Sequence, residues 1–159
     1  MKKNLTIVLI LFCSTFIFAQ KAKIIEGSFK NLKGIAEFNL EFDYTDIEIP
    51  KYDSEEEFLK DKVTKYNNDI SGSGDEFKLD WFDDREEQYE PKFIESFNKR
   101  FDQGEVKVDR NLEEAEYTLN VHTTFMYAGY NVGVVRKNSK VDAVISVYKN
   151  DNPDKILYL

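Results

Sequence analysis

AEFNLEFDY, at residues 36–44, alternates apolar and polar side chains without interruption. Successive side chains of a β-strand point to opposite faces, so this period of two predicts a strand with one buried and one solvated face. Upstream, KIIEGSF (Lys23–Phe29) predicts another strand, and NLKG (Asn31–Gly34) predicts a turn. Together the three segments predict a β-hairpin.

The last third of the chain carries further strand patterns. Apolar side chains alternate with polar ones from Tyr117 to Phe125 and from Val141 to Val147. Shorter strands are predicted at Val106–Val108 and at Lys155–Leu159, the second one after a turn at Asn150–Asp154. This part of the chain is therefore expected to supply most of the sheet.

Two helices are predicted between these groups of strands. Ser54 and Glu57 form a capping box, which marks the start of the first helix, and Ser71–Gly74 predicts a flexible loop at its end. Pro91 suits the first turn of the second helix, because a proline further inside would break it. Phe77–Phe82, which lies between the two helices, predicts a short strand.

Segregated strands and helices predict an α+β fold: an antiparallel or mixed sheet of five to seven strands, with two helices packed on one face. Residues 20–159 are expected to form a single domain. Seven apolar residues are predicted to be largely buried: Leu59, Val63, Phe93, Phe97, Leu119, Val121 and Ile145. The sequence stops on the apolar Ile156–Leu159, so either this strand is tied into the sheet or the sequence is a fragment of a longer protein.

The N-terminus has the three parts of a secretory signal peptide. Two lysines precede the apolar run Leu5–Phe18, which is too short for a membrane span, and Ala19 offers a small residue for cleavage. We therefore expect residues 1–19 to be removed and the protein to be exported, either to the periplasm or out of the cell. A lipid anchor on Cys13 is disfavoured, because the bulky Phe12 precedes it. Without Cys13 the mature chain has no cysteine for a disulfide.

The composition is acidic, with 22 Lys and Arg against 30 Asp and Glu and a net charge of −8. Removal of residues 1–19 leaves 20 basic residues against 30 acidic ones. A nucleic acid is therefore excluded as the main partner, because phosphate binding needs a basic face. After the N-terminus, no apolar run is long enough to span a bilayer.

Acidic residues are concentrated in residues 41–90, which hold 18 Asp and Glu against 6 Lys and Arg. Asp80, Asp83 and Asp84 are the candidate ligands of a calcium ion, because hard cations take oxygen ligands. The segment lacks the alternating carboxylates and central glycine of a calcium loop, so a solvated acidic face is the competing interpretation. A third interpretation of the acidic segment is a pair of carboxylates that cleaves glycosidic bonds.

A second candidate site is MYAGYNVG, at residues 126–133. Its two glycines permit unusual backbone angles, and its tyrosine rings can stack on a sugar or on a partner protein. Tyr127, Tyr130 and Asn131 are the candidate binding residues. The competing interpretation is a loop between strands whose tyrosines fold back onto the core.

The sequence shows no catalytic set. His122 lies mid-strand among polar neighbours, which is typical of a histidine on a sheet surface. The chain has no G-x-S-x-G turn, no second histidine for a zinc site and no glycine-rich phosphate loop. No catalytic residue and no cofactor are therefore predicted.

Several short stretches resemble a group of uncharacterised secreted proteins of the Bacteroidota. The matching stretches are Phe18-Ala19-Gln20, Glu90–Phe93 with Phe97-Asn98, Ala115–Val121 and Gly129–Gly133. This resemblance covers most of the mature chain and implies no chemistry. More loosely, a helix followed by a long strand, a glycine loop and another strand is similar to small α+β domains of envelope assembly proteins, such as the amino-terminal domain of TolB.

These observations favour a non-enzymatic interaction module associated with the cell envelope, with an envelope protein or a glycan as its partner. The sequence leaves open a carboxylate-dependent glycan hydrolase, and also a carbohydrate- or calcium-binding module. It does not decide the oligomeric state.

Overall fold

Five strands form a mixed β-sheet and two more form a separate hairpin within the part of the chain that the structure describes. The structure is a computed structural model that describes residues 22–101, 103–133 and 135–159. Its strands are β1 (Glu37–Asp43), β2 (Lys107–Asp109), β3 (Tyr117–Tyr127), β4 (Tyr130–Val132), β5 (Val135–Lys137), β6 (Lys140–Lys149) and β7 (Asn152–Tyr158). The sheet order is β2-β1-β3-β6-β7, and β4 pairs with β5.

Both neighbours of β1 run parallel to it, whereas β3, β6 and β7 pair antiparallel. The predicted hairpin between Lys23–Phe29 and β1 is therefore wrong. Ser28 caps a short 3-10 helix at Phe29–Leu32, which turns the chain before β1 begins. Gly27 instead bridges to Tyr158, so the segment before the turn lies beside β7 at the other edge of the sheet.

The first helix, α1 (Glu55–Asp69), begins at the predicted capping box. Ser54 Oγ accepts a hydrogen bond from the N–H of Glu57 at 3.1 Å, and a Glu57 carboxylate oxygen accepts one from the N–H of Asp53 at 2.9 Å. Two backbone donors at the helix start are thus satisfied, and the three glutamates of the first turn suit the helix dipole.

The second helix, α2 (Ser73–Asp84), replaces the strand predicted at Phe77–Phe82, which is wrong. In a helix, Phe77 and Trp81 are four residues apart and share one face. Their rings lie 6.1 and 4.8 Å from the ring of Phe58 on α1. Leu79, which a strand would have placed beside them, is 65% exposed.

The connection between α1 and α2 is tight, where a flexible loop was predicted at Ser71–Gly74. Gly72 has a φ of +89°, a conformation that glycine adopts without strain. Gly74 is buried in the first turn of α2, and a Cβ there would lie 2.2 Å from the carbonyl oxygen of Val63. The two helices therefore pack backbone against backbone at this point.

The third helix, α3 (Glu90–Asn98), continues α2 through a π turn at Arg85–Tyr89. Pro91 lies in the first turn of α3, as predicted, but the expectation that the helical backbone does not begin much earlier is wrong. The N–H of Glu90 bonds to the carbonyl of Arg85, five residues back. A proline inside a helix lacks one N–H and crowds the preceding turn, and the wider π turn directly before Pro91 accommodates both effects.

The core lies between one face of the sheet and the helices. Paired residues of β1 and β3, such as Leu40 with Leu119 and Phe42 with Val121, share this face. Phe93 and Phe97 of α3 pack against it. A second apolar cluster joins α1 and α2 to the segment that follows β1, through Phe58 and its neighbours. The opposite face of β1 and β3 carries polar side chains.

The predicted fold class is confirmed: the protein is α+β, with a mixed sheet of five strands and packed helices. Three predicted core residues are buried: Leu59, Leu119 and Val121. Four others are only half-buried: Val63, Phe93, Phe97 and Ile145. Within the described ranges, no helix has the length and apolar character needed to cross a bilayer.

Candidate functional site

A groove of about 570 Å³ runs along the edge of β1, beyond the end of β2. The register pairs β2 with Glu37–Asn39 only, so Leu40–Asp43 has no strand partner on this side within the described part of the chain. The lining combines residues 39–44 with Glu86, Glu90, Arg110 and Asn120. We call this feature the β1 groove.

The β1 groove exists because β2 is short. Directly after β2 the N–H of Asn111 donates to Asp109 Oδ1 at 3.3 Å, a local bond that competes with the strand ladder. The chain turns there, and Arg110 at the turn points its guanidinium toward Glu90. The end of β2 thus leaves half of β1 uncovered and places a basic group at the end of the groove.

Glu90 closes the helix side of the β1 groove and is only 4% exposed. Its Oε1 accepts a hydrogen bond from the Tyr44 hydroxyl at 3.0 Å, and its Oε2 accepts one from Arg110 at 2.5 Å. Burial, together with the Glu90 charge, raises the pKa of Tyr44 far above its ordinary value. The phenol therefore stays protonated, and Glu90 is fixed between two partners.

Glu41 and Asp43 lie on the polar face of β1. The Tyr148 hydroxyl donates to Glu41 at 3.0 Å, and burial with this bond raises the pKa of Tyr148 to about 12. Asp43 Oδ1 accepts hydrogen bonds from the N–H and the hydroxyl of Thr45, both at 2.8 Å. The backbone bond is the main reason why the pKa of Asp43 is lowered, so Asp43 stays ionised to lower pH than a free aspartate.

An unsatisfied acceptor lies beside these carboxylates. Asn39 Oδ1 is buried and has no hydrogen-bond partner among the described residues. Asn39 lines the β1 groove two positions before Glu41, on the same face of the strand. Buried acceptors are rarely left without a donor, because the loss of water costs free energy. The Asn39 amide oxygen is therefore an unsatisfied buried acceptor directly beside the carboxylates of the groove.

Arg85 holds the end of β1 against the helices. Its guanidinium stacks 4.5 Å from the Tyr44 ring and pairs with the carboxylate of Glu55, to which Trp81 Nε1 also donates at 2.7 Å. The side chain is 10% exposed. This contact joins α1, the π turn and β1, and it orients Tyr44 toward Glu90.

His122 is half-buried on the polar face of β3, opposite Asp43 in the sheet register. Its Nε2 lies 2.9 Å from the carbonyl oxygen of Thr45. Since a carbonyl only accepts, Nε2 carries the proton in this contact. The predicted sheet histidine thus ties down the turn after β1, a contact that the sequence did not indicate.

The predicted tyrosine site lies apart from the β1 groove, whose lining includes none of its three residues. Tyr127 is half-buried at the end of β3, with the Lys137 ammonium 5.6 Å from its ring centre. Tyr130 and Asn131 are paired through their backbones with β5, and their side chains lie outside the described residues. The sugar-binding role of this segment therefore stays a prediction.

The candidate metal ligands Asp80, Asp83 and Asp84 are exposed on α2. Their helical spacing places them on one side of α2. Among the residues that the structure describes, no group of three His, Cys, Asp or Glu side chains is arranged to hold a metal ion. The acidic side of α2 is thus a run of carboxylates facing solvent.

Sequence reasoning missed the β1 groove because its walls come from separate elements. Glu86, Arg110 and Asn120 are far from β1 in the sequence. Arg110 and Asn120 reach it through the parallel pairing of β2 and β3, and Glu86 through the packing of the helices on the sheet. The available signal was the pair Glu41 and Asp43, two carboxylates on one face of a strand within the most acidic part of the chain.

No family model, no curated protein sequence and no solved structure matches this chain. A function can therefore be inferred only from the geometry and charge of the molecule itself.

Proposed function

We propose that this chain is a non-enzymatic interaction module, exported to the periplasm or secreted from the cell, that holds a partner protein in the β1 groove. The observation that carries the proposal is the uncovered half of β1, Leu40–Asp43, which opens directly onto a groove of about 570 Å³. An uncovered strand edge presents backbone donors and acceptors in a row, which is a template for another polypeptide. This feature favours a protein over a glycan as the partner.

A glycan hydrolase is the second candidate, because the β1 groove contains several carboxylates, including Glu86 and Glu90. Glycoside cleavage uses two carboxylates that flank the scissile bond. Glu90, however, already accepts hydrogen bonds from Tyr44 and Arg110 on its two oxygens. Glu90 therefore connects the helix to the sheet and is not free to act on a glycosidic bond.

Photo-crosslinking in envelope extract tests the interaction module. A photoreactive residue replaces Glu86 in the groove and, as a matched control, Asp154 on β7 at the opposite edge of the sheet. We expect one protein to be crosslinked at high yield from position 86 and not from position 154. Equal crosslinking from both positions would contradict the proposal, and so would release of reducing sugar from a glycan that Glu86→Gln abolishes.

A further inference from the structure

We propose that the occupant of the β1 groove is an extended, basic polypeptide segment that adds to the sheet beside Leu40–Asp43, with lysine or arginine at alternate positions. This inference rests on the proposed function and specifies the partner's chemistry. It follows from the direction of the backbone groups, the balance of charge and the spacing of the two carboxylates on β1.

The backbone of β1 is oriented to pair with such a segment. The carbonyl of Ala36 accepts a hydrogen bond from the N–H of Lys107 at 2.8 Å, so the backbone groups of residue 36 point to the β2 side. Along a strand, the backbone groups of every second residue point to the same edge. The N–H and carbonyl of Phe42, and the carbonyl of Leu40, therefore face the groove, past the last paired residue of β2.

The charge of the groove selects a basic occupant. Its lining has four carboxylates and one guanidinium, and Glu90 and Arg110 pair with each other. Glu41, Asp43 and Glu86 remain, and within the described part of the chain none of the three has a lysine or arginine partner. An acidic strand here would meet like charges at neighbouring positions, which is destabilising.

The spacing of the carboxylates sets the spacing of the basic residues. Glu41 and Asp43 are two residues apart and lie on the same face of β1, beside Asn39. A strand added next to β1 places its own alternate side chains on that face, directly opposite these residues. Lysine or arginine at alternate positions would pair with the carboxylates of Glu41 and Asp43, whereas Asn39 already lies opposite Asp109 of β2.

The experiment measures binding of fluorescent nonapeptides to the purified protein by anisotropy. The first peptide alternates threonine and lysine, the second replaces each lysine with glutamate, and the third is the lysine peptide with N-methyl groups on alternate residues. N-methylation removes backbone donors along one edge and leaves the charge unchanged. We expect the lysine peptide to bind at least about tenfold more tightly than either of the others, and we expect added salt to weaken it.

The matched variants are Glu41→Gln with Asp43→Asn, and, outside the groove lining, Glu113→Gln with Asp154→Asn. Both pairs remove two exposed or half-exposed charges, and the amides keep an acceptor for Tyr148 and Thr45. We expect the first pair to weaken binding of the lysine peptide by roughly tenfold, and the second pair to leave it unchanged. Thermal unfolding of each variant establishes that it is folded.

Three results would overturn the inference: equal affinity for the N-methylated peptide, equal loss of affinity in the two variant pairs, or full displacement of the peptide by spermine at matched charge. The first and third would mean that charge alone attracts cations to this face. If no peptide binds while position 86 still crosslinks to one envelope protein, the basic strand is wrong and the interaction module stands. If both experiments fail, both proposals fall.

Discussion

Glu90 is a buried carboxylate that connects three separate elements. It lies at the start of α3, takes a hydrogen bond from Tyr44 after β1, and pairs with Arg110 after β2. Burying a charge is costly unless it is paired and hydrogen-bonded, and Glu90 has both kinds of partner. The same contacts fix the distance between the helix wall and the strand edge of the β1 groove, so stability and site geometry depend on one residue.

Glu90→Gln should destabilise the fold by about 1–2 kcal/mol, since the amide keeps an acceptor for Tyr44 and loses the charge that attracts Arg110. This loss of stability is smaller than that expected on breaking a fully buried ion pair, because the Arg110 side chain is 44% exposed and can be hydrated. Urea unfolding measures the change. Glu95→Gln, which breaks the exposed pair with Lys92, serves as the control and should have little effect. Equal effects would mean that Glu90 does not connect the helix to the sheet.

Alkaline pH should weaken the fold through Tyr148. The pKa of this phenol is about 12 in the folded protein against an ordinary value of 10.0, so the folded state holds the proton more tightly. Its stabilising contribution is therefore complete below pH 10 and is lost as the pH rises from 10 to about 12. Tyr148→Phe should make the fall in unfolding free energy over this range shallower. An unchanged slope in denaturant titrations would show that burial and the Glu41 contact do not raise the pKa of this phenol in the folded protein.

Backbone contact between helices is the critical feature at the scale of the elements. Gly74→Ala should cost about 1–3 kcal/mol, because the new Cβ would fall 2.2 Å from the Val63 carbonyl oxygen and the helices would have to separate. Gly104→Ala is the control, since a Cβ there meets open space and brings only the strain of a φ of +78°. Urea titration compares the two variants. Stabilisation by Gly74→Ala, as expected for an uncrowded helix position, would rule out the close packing.

Local sequence patterns predicted α1, β1 and β3 correctly, because the pattern that specifies each of these elements lies within a few neighbouring residues. The capping box of Ser54 and Glu57 marks a helix start wherever the helix packs, and alternation over nine residues admits only a strand. Phe77–Phe82 was ambiguous, because Phe77 and Trp81 lie on one side both of a strand and of a helix. In the structure, packing of Phe77 and Trp81 against Phe58 on α1 favours the helix. The local sequence does not reveal such a contact between distant residues.

Pro91 shows how a reliable local rule can be overridden. Proline usually marks a helix start or a break, yet here the chain inserts a π turn before it and remains helical from Ser73 to Asn98. The turn brings Arg85 under Tyr44 and Glu90 beside it. Local propensity does not reveal such an insertion, because the contacts that stabilise it come from β1 and α1.

The candidate site was less predictable than the fold. Its strand was evident from the sequence, including the charges at Glu41 and Asp43. Its uncovered edge was not, since a hairpin was predicted where β1 in fact lies between two parallel neighbours. Parallel pairing over long separations leaves no turn signal between the strands, so neither the neighbours of β1 nor the approach of Arg110 could be derived from the sequence.

At the scale of the whole sheet, the segment before the short 3-10 helix covers the outer edge formed by β7. At the β7 edge, the N–H of Ile25 bonds to Leu159 at 2.6 Å, and the N–H of Leu159 bonds to Glu26 at 3.0 Å. Deleting residues 22–28 should uncover this edge, lower stability and promote association, because an exposed edge recruits other strands. Size-exclusion chromatography over a concentration series measures it, with a deletion of residues 20–23 as control. A monomer of unchanged stability would show that these contacts contribute nothing.

The distribution of charge over the molecule predicts how salt and calcium affect its stability. Residues 41–90 hold 18 acidic and 6 basic side chains, and the carboxylates of α2 face solvent. Repulsion among them should be screened at about 0.15 M salt, where the screening length is about 8 Å, so the melting temperature should rise modestly up to that point. Asp83→Asn with Asp84→Asn should raise the melting temperature at low salt and reduce its dependence on salt.

Calcium should add nothing beyond this screening, because the three aspartates of α2 lie on a regular helix with no loop to wrap a cation. Magnesium at equal ionic strength is the control in thermal scans. A ligand that binds only the folded state stabilises it with a saturating dependence on concentration. If calcium alone gave such a shift, and if the Asp83→Asn with Asp84→Asn variant lost it, the acidic side of α2 would be a metal site. The protein would then be a calcium-dependent binding module, with a binding site on α2 that is separate from the β1 groove.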